Sequence, residues 1–141
     1  MIPGRIIRLE DASKGARLVV CGGRNYGHAL DVFNARDREN AHRERTRLFE
    51  VLDQLAPREI AQGEAKGADE LARKWAEARN VPCARFPALW NAEGKSAGPR
   101  CNRRMFAGFE PDGTVAFPGG VGTADMENVT LDGGAWLVRI R

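Results

Sequence analysis

Short apolar runs alternate along this chain with stretches in which apolar side chains recur every three or four positions. The runs are "RLVVC" (17–21), "REIAQG" (58–63), "VPCARFPA" (81–88), "TVAFPGG" (114–120) and "AWLVRIR" (135–141). Runs of this kind, separated by helical patterns, read as parallel strands buried on both faces. The clearest helix is "ADELARKWAEARN" (68–80), where Ala68, Leu71, Ala72, Trp75 and Ala76 form one stripe. Asp69 and Glu70 stand in its first turn and Arg79 in its last, which complements the helix dipole. A second helical region covers much of 30–56, with Val32, Phe33, Leu48, Phe49, Leu52 and Leu55 as core candidates. Its polar middle allows two helices or one projecting arm. A third helix runs from Pro99, at a first helical position, to Phe109. A fourth follows Thr123 and is short, because Gly133 and Gly134 end it.

Strand and helix in alternation predict an α/β fold: a Rossmann-like, doubly wound, mainly parallel sheet of about five strands with helices on both faces. One domain covers 17–141; residues 1–16 are either an edge strand through Ile2 to Leu9 or a loose extension. In such sheets ligands bind beyond the carboxyl ends of the strands, where the connections diverge. Three glycine-bearing loops fall there: "GGRNYG" (22–27), "GEAKGAD" (63–69) and "GGVGTAD" (119–125).

Glycine lets another group approach the main chain and reaches positive φ at little cost. A glycine turn that opens a helix also presents free N–H groups and a positive dipole end, which favours an anion. In "PGGVGTAD", Pro118 stops the strand, Gly119, Gly120 and Gly122 shape the turn around Val121, and Thr123 caps the helix or donates its hydroxyl. A single Gly-Gly pair would be read as a tight turn. Three such loops at equivalent places favour a phosphate-bearing ligand. The chain has no G-x-x-x-x-G-K-[ST], and its first loop is not G-x-G-x-x-G, so P-loop NTPases and dinucleotide dehydrogenases are set aside.

Composition changes this picture little. The chain has 141 residues, 43% apolar and 29% charged, ample for one core without staples. Its net charge of +3 does not call for nucleic acid. Four cations between 95 and 104 (Lys95, Arg100, Arg103, Arg104) form a basic tract without an acid, whereas "RDRENAHRERTR" (36–47) mixes signs and spaces Glu39 to pair with Arg43. No apolar stretch spans a membrane and the N-terminus lacks a secretory pattern, so a cytoplasmic location is expected. Cys21, Cys83 and Cys101 suit neither a disulfide framework nor zinc, and no metal or cofactor is expected.

Among individual residues, Arg24 and Asn25 follow the first strand directly and are candidates for phosphate or ribose contact. Gly22 and Gly23 join them through the backbone. Gly67, Lys66 and Asp69 flank the second glycine turn, where Asp69 either caps the helix or meets ligand. Trp90 lies in a polar loop, where its indole either stacks on a base or packs the loop down; Tyr26 is a weaker candidate for the same contact. Arg100 and Arg103 are the cations placed to neutralise phosphate. Cys101, beside arginines, is a candidate for a lowered thiol pKa, while Cys21 ends a buried strand and is inert. His28 and His42 have no acid or nucleophile partner in the sequence and are not taken as catalytic.

"VVCGGRNY", "QGEAKGADELARKWA", "FPALWNAEGKSAGPRCNRRM" and "AFPGGVGTADM" together resemble the YspA/YpsA-like branch of the SLOG superfamily. These are Rossmann-like proteins related to LOG phosphoribohydrolases and to the DNA-processing protein DprA. The resemblance runs in order over about 17–140. It implies a nucleotide-like small molecule in the crevice, such as a nucleoside monophosphate or an ADP-ribose-type ligand, and a homodimer. It also carries Asn102 into the candidate set. LOG enzymes cleave an N-glycosidic bond, and carry P-G-G-x-G-T-x-x-E with an acidic pair. Here Asp125 and Met126 stand at that pair, so Asp125 is the one candidate catalytic carboxylate. Relatives place an arginine four residues before the helix methionine, where this chain has Cys101. These departures place ligand binding, as a sensor or sequestering protein, ahead of LOG-type hydrolysis. A DprA-like single-strand nucleic-acid binder using the 95–104 cations stands third.

Overall fold

A computed structural model describes residues 2–141. Six strands form one parallel sheet: β1 (Ile6–Ile7), β2 (Arg17–Cys21), β3 (Glu59–Gln62), β4 (Cys83–Arg85), β5 (Gly113–Ala116) and β6 (Trp136–Arg139). Their spatial order is β1-β6-β5-β2-β3-β4. The sixth strand lies in the N-terminal segment and is much shorter than an edge strand through Ile2 to Leu9: only Ile6 and Ile7 pair, with Leu137 and Val138, and Leu9–Asp11 form a 3-10 turn.

Both faces of the sheet are covered, which is why the strands read as continuous apolar runs. Along β2, Leu18 and Val20 point to one apolar layer and Val19 and Cys21 to the other. The first layer is closed by α1 (Ala35–Leu55) and α2 (Ala68–Arg79) through Leu48, Leu52, Leu71 and Trp75. The second is closed by α4 (Ala97–Phe109) and α5 (Val121–Asp132) through Met105, Phe109 and Met126. A four-residue helix, α3 (Trp90–Glu93), precedes α4. The chain leaves β2 toward β3 over one face and returns to β5, on the other side of β2, by the opposite face. The β2–β5 boundary is therefore the switch point at which a ligand crevice forms.

Helix α1 departs from the expectation over 30–56. It is one continuous helix, begun by Asn34, whose side chain accepts the Asp37 N–H at 3.0 Å. Val32 and Phe33 precede that cap and are exposed, Phe33 to 90%, so they are not core. The polar middle of α1 has a structural task. Glu44 accepts the Gly27 N–H at 2.8 Å and Arg45 donates to the Gly27 carbonyl at 2.8 Å, which holds the loop after β2. Arg43 bonds Asn40 rather than Glu39. Helix α4 starts two residues before Pro99, which still occupies the first turn, where its missing N–H costs nothing. Among the described residues, no helix is long and apolar enough to cross a membrane, and no cluster of three His, Cys, Asp or Glu side chains is placed to hold a metal.

Candidate functional site

The loops after β2 and β5 meet at the switch point, where the Gly23 N–H donates to the Pro118 carbonyl at 2.9 Å. The loop after β3 joins them, the Ala68 N–H donating to the Gly23 carbonyl at 3.1 Å. Four glycines make these approaches possible. A Cβ on Gly22 would lie 2.6 Å from Ala68 Cβ, one on Gly23 2.9 Å from the Pro118 carbonyl oxygen. A Cβ on Gly67, at φ +79°, would strike the Gly23 carbonyl, and one on Gly119 would strike the Thr123 hydroxyl. These glycines are explained by packing of loop on loop.

Gly120 and Gly122 are not. A Cβ on either would meet nothing within 4 Å, so no neighbour in the fold demands glycine there. Both border a cavity of about 500 Å³. Helix α5 opens into it: Gly120 is its N-cap without a side-chain cap, and its first internal bond is from Ala124 N–H to the Gly120 carbonyl. The N–H groups of Val121, Gly122 and Thr123 thus have no acceptor within the helix, and the dipole adds positive character beside them. Thr123 lies buried in the first turn rather than capping the helix, which corrects one of its two expected roles.

Gly22, Gly23, Arg24, Asp69, Trp90, Asn102, Gly120, Val121, Gly122, Thr123 and Asp125 all line this cavity. The Arg24 guanidinium carbon stands 5.3 Å from the Trp90 ring centroid, so a cation and a half-exposed indole face the same space. Trp90 opens α3 instead of sitting in an irregular loop. Asn102 donates to Asp125 Oδ2 at 2.9 Å and to the Gly122 carbonyl at 3.3 Å, which ties α4 to the first turn of α5. Asp69 caps nothing: Gly67 is the N-cap of α2, and the buried Asp69 carboxylate accepts the Ala65 N–H at 3.2 Å. Burial pushes its pKa up to about 7, against the lowering effect of the Ala65 and Gly63 amides.

Other candidates lie elsewhere. Gly67 is buried between loops, while Asn25 and Gly119 border a second cavity. Arg100 and Arg103 lie outside the first cavity's lining: Arg100 Nη1 is 3.6 Å from Glu93 and Arg103 Nη1 is 3.6 Å from Asp125. Tyr26 is buried against Phe117, ring centroids 5.4 Å apart, with its phenol pushed up to about 12 by burial. It is remote in role from Trp90, since it borders the second cavity. His28 has an acid after all, Glu70 at 3.7 Å.

Cys101 contradicts the expectation of a lowered thiol pKa. Burial raises it, the thiol donating to the Phe86 carbonyl at 2.7 Å, and Arg104 beside it is taken up by both oxygens of Glu93 at 3.0 Å. Burial also holds the Cys21 thiol well above its ordinary range. Lys95, named from the sequence only as part of the basic tract, also lines the cavity. It was legible as the first member of the tract, but the turn over 94–96 that sets it at the cavity's edge has no sequence signal.

Met126, at the position of the LOG glutamate, is fully buried in the second apolar layer. Glu127 does not replace it: it is buried against Arg139 at 2.9 Å, outside the cavity lining. Asp125 is therefore the acid of α5 in the cavity.

The family described as YspA, cpYpsA-related SLOG (YAcAr) matches residues 16–92, from β2 through α1, β3, α2 and β4 to Trp90 and its neighbours. Neither the curated proteins nor the solved structures contain a match. The match covers more than half of the chain, including the glycine loops after β2 and β3, and on that ground the chain belongs to the YspA, cpYpsA-related SLOG family.

Proposed function

We propose that this protein binds a nucleotide through its phosphate and acts as a sensor or sequestering protein. One observation carries the reading: Gly120 and Gly122, free of any packing requirement, leave the first turn of α5 open to a cavity that Arg24 and Trp90 face from the other side. Phosphate oxygens accept from the amides of 121–123. Arg24 and Lys95 supply the positive charge that Arg100 and Arg103 were expected to provide. The Trp90 ring offers a stacking face for the base. Family membership supports a nucleotide-related function in general.

The test is thermal. A nucleotide present at 100 times its dissociation constant stabilises the folded protein by about 2.7 kcal/mol. For a chain of this length that is roughly a 10 °C rise in Tm. A panel of nucleoside mono- and diphosphates that leaves Tm unchanged at millimolar concentration overturns the reading.

Hydrolysis of an N-glycosidic bond is a second reading, favoured by one observation: Asp125 lines the cavity with its carboxylate oriented by Asn102. Base release from a nucleoside 5′-monophosphate, lost in Asp125→Asn, would establish it. Single-strand nucleic-acid binding is less favoured, because Glu93 engages Arg100 and Arg104 while Asp125 stands beside Arg103. We also propose self-association, supported by exposed Leu30, Val32 and Phe33 on the segment before α1.

A further inference from the structure

Asp69 stands in the first turn of α2 and lines the first cavity, although it is only 9% exposed. Its two oxygens have unlike surroundings. Oδ2 accepts the Ala65 N–H at 3.2 Å, and Gly63, whose amide also acts on the carboxyl, lies on the same side: a Cβ there would be 3.1 Å from Oδ2. Oδ1 takes no hydrogen bond from the described residues. It is not sealed either, since the one sealed side-chain polar atom without a partner among them is Arg104 Nη2. A free oxygen of a nearly buried carboxyl thus opens on the cavity.

The fold fixes this arrangement from behind. Of the residues other than glycine with positive φ, Ala56, Asn80 and Glu110 are helix C-caps, whereas Glu64, at φ +62°, lies in the loop after β3. Gln62, fully buried at the end of β3, holds it there: its amide oxygen accepts the Glu64 N–H at 2.6 Å and its amide nitrogen donates to Glu64 Oε1. The next N–H, that of Ala65, is the one given to Asp69. Burial is the largest influence on the carboxyl and sets its pKa at about 7; Glu64 also opposes its ionisation and Arg24 favours it. Arg85 stands 3.8 Å from Glu64. The Cys21 thiol of β2 and the Cys101 thiol of α4 are within electrostatic reach, and burial keeps both neutral. Lys95 and Asp125 complete the ionisable lining of the cavity.

We propose that the cavity takes a phosphate together with one proton, which Asp69 holds on Oδ1 and donates to a phosphate oxygen. This rests on the nucleotide reading above. An ionised carboxylate in the cavity repels the phosphate that the amides of 121–123 attract. Protonated, the same group donates its O–H to an anionic oxygen, which makes a short and strong bond. The proton comes from solvent, and no other covalent bond changes. A bound phosphate also shares Arg24, the cation that favours ionisation of Asp69, so the complex holds the proton more firmly than the free protein. Below about pH 7 the free protein already carries the proton and affinity is full; above it each binding event draws a proton from solvent, and affinity falls as pH rises.

Isothermal titration of the full chain with AMP tests this, at pH 7.5 in two buffers of different ionisation enthalpy and then at pH 6 and pH 8, for the parent and for Asp69→Asn. The second ionisation of AMP is common to both proteins, so the difference between them belongs to Asp69. The parent should take up about three quarters of a proton per AMP at pH 7.5, and its affinity should fall about 10-fold more than that of Asp69→Asn between pH 6 and pH 8. Asp69→Ser, also without a carboxyl, replaces the amide variant if that one does not fold. No proton uptake by the parent, or the same uptake and the same pH profile in the carboxyl-free variant, overturns the proposal while leaving the nucleotide reading in place. Absence of AMP binding at every pH overturns both.

Discussion

The guanidinium of Arg24 lies over the ring of Trp90, 5.3 Å from its centroid, although 66 positions separate them in the chain. Arg24 comes from the loop after β2 and Trp90 from the start of α3, so the pair joins two separate segments of the cavity's lining. In the proposed function, the indole offers a stacking face for the base and the guanidinium a charge for its phosphate. Replacing Trp90 by Ala removes a stacking contact of about 1–3 kcal/mol. Nucleotide affinity should fall roughly 10-fold or more, and Trp90→Phe should recover most of it. Calorimetric titration of both variants checks this; unchanged affinity in Trp90→Ala removes the base from this wall.

The glycines divide into two groups with opposite predicted behaviour. Gly122→Leu adds a side chain where a Cβ has open space, within a helix. It should keep or raise Tm, leucine being about 0.8 kcal/mol better than glycine in helix interiors, and abolish nucleotide binding. Gly67→Ala forces a Cβ onto the Gly23 carbonyl at φ +79°. It should cost roughly 2 kcal/mol or more and lower Tm by several degrees. Melting curves of the two variants separate a binding glycine from a packing glycine, and the same response in both would contradict the division.

Asp69 predicts a pH dependence of stability. Its folded pKa of about 7 stands above its ordinary 3.8, through burial, with Glu64 adding and the Ala65 and Gly63 amides and Arg24 opposing. Below about pH 4 the carboxyl is protonated whether the chain is folded or not. Between about 4 and 7 the unfolded chain gives up the proton while the folded chain keeps it, so stability falls as pH rises. Above 7 the loss is complete. Asp69→Asn should flatten this slope and melt several degrees above the parent at pH 8. Denaturation at pH 4, 6 and 8 measures it, and parallel curves for the two proteins would refute the assignment.

Thiol chemistry gives another check. Cys21 and Cys101 are buried with raised pKa, and Cys83 is half-buried and also raised. Alkylation by iodoacetamide at pH 7.5 should run at least 10-fold slower at Cys101 in the folded protein than in denaturant. Equal rates would mean that the bond to the Phe86 carbonyl does not persist.

Much of this architecture was legible because strand and helix periods alternate cleanly. The five runs beginning at "RLVVC" are strands, and the stripe through Leu71 and Trp75 is a core face. The misreadings have local physical causes. Val32 and Phe33 look like the start of an amphipathic helix, but Asn34 caps three residues before Asp37 and leaves both outside it. The basic tract of 95–104 looks free of acid, yet Glu93 stands two residues before it and engages Arg100 and Arg104. Cys101 sits among arginines in sequence, but on the helix it turns inward to the Phe86 carbonyl. Glycine spacing marked the loops without telling which glycines serve packing; that depends on Ala68 and Pro118 arriving from other segments and on Thr123 folding back over Gly119.

The open first turn of α5 can be observed directly by titrating nitrogen-15-labelled protein with AMP and following the backbone amides. The largest shifts should fall on Val121, Gly122 and Thr123, whose N–H groups have no acceptor in the helix. Saturable binding that moves the amides of other segments and leaves these three unmoved would contradict the account.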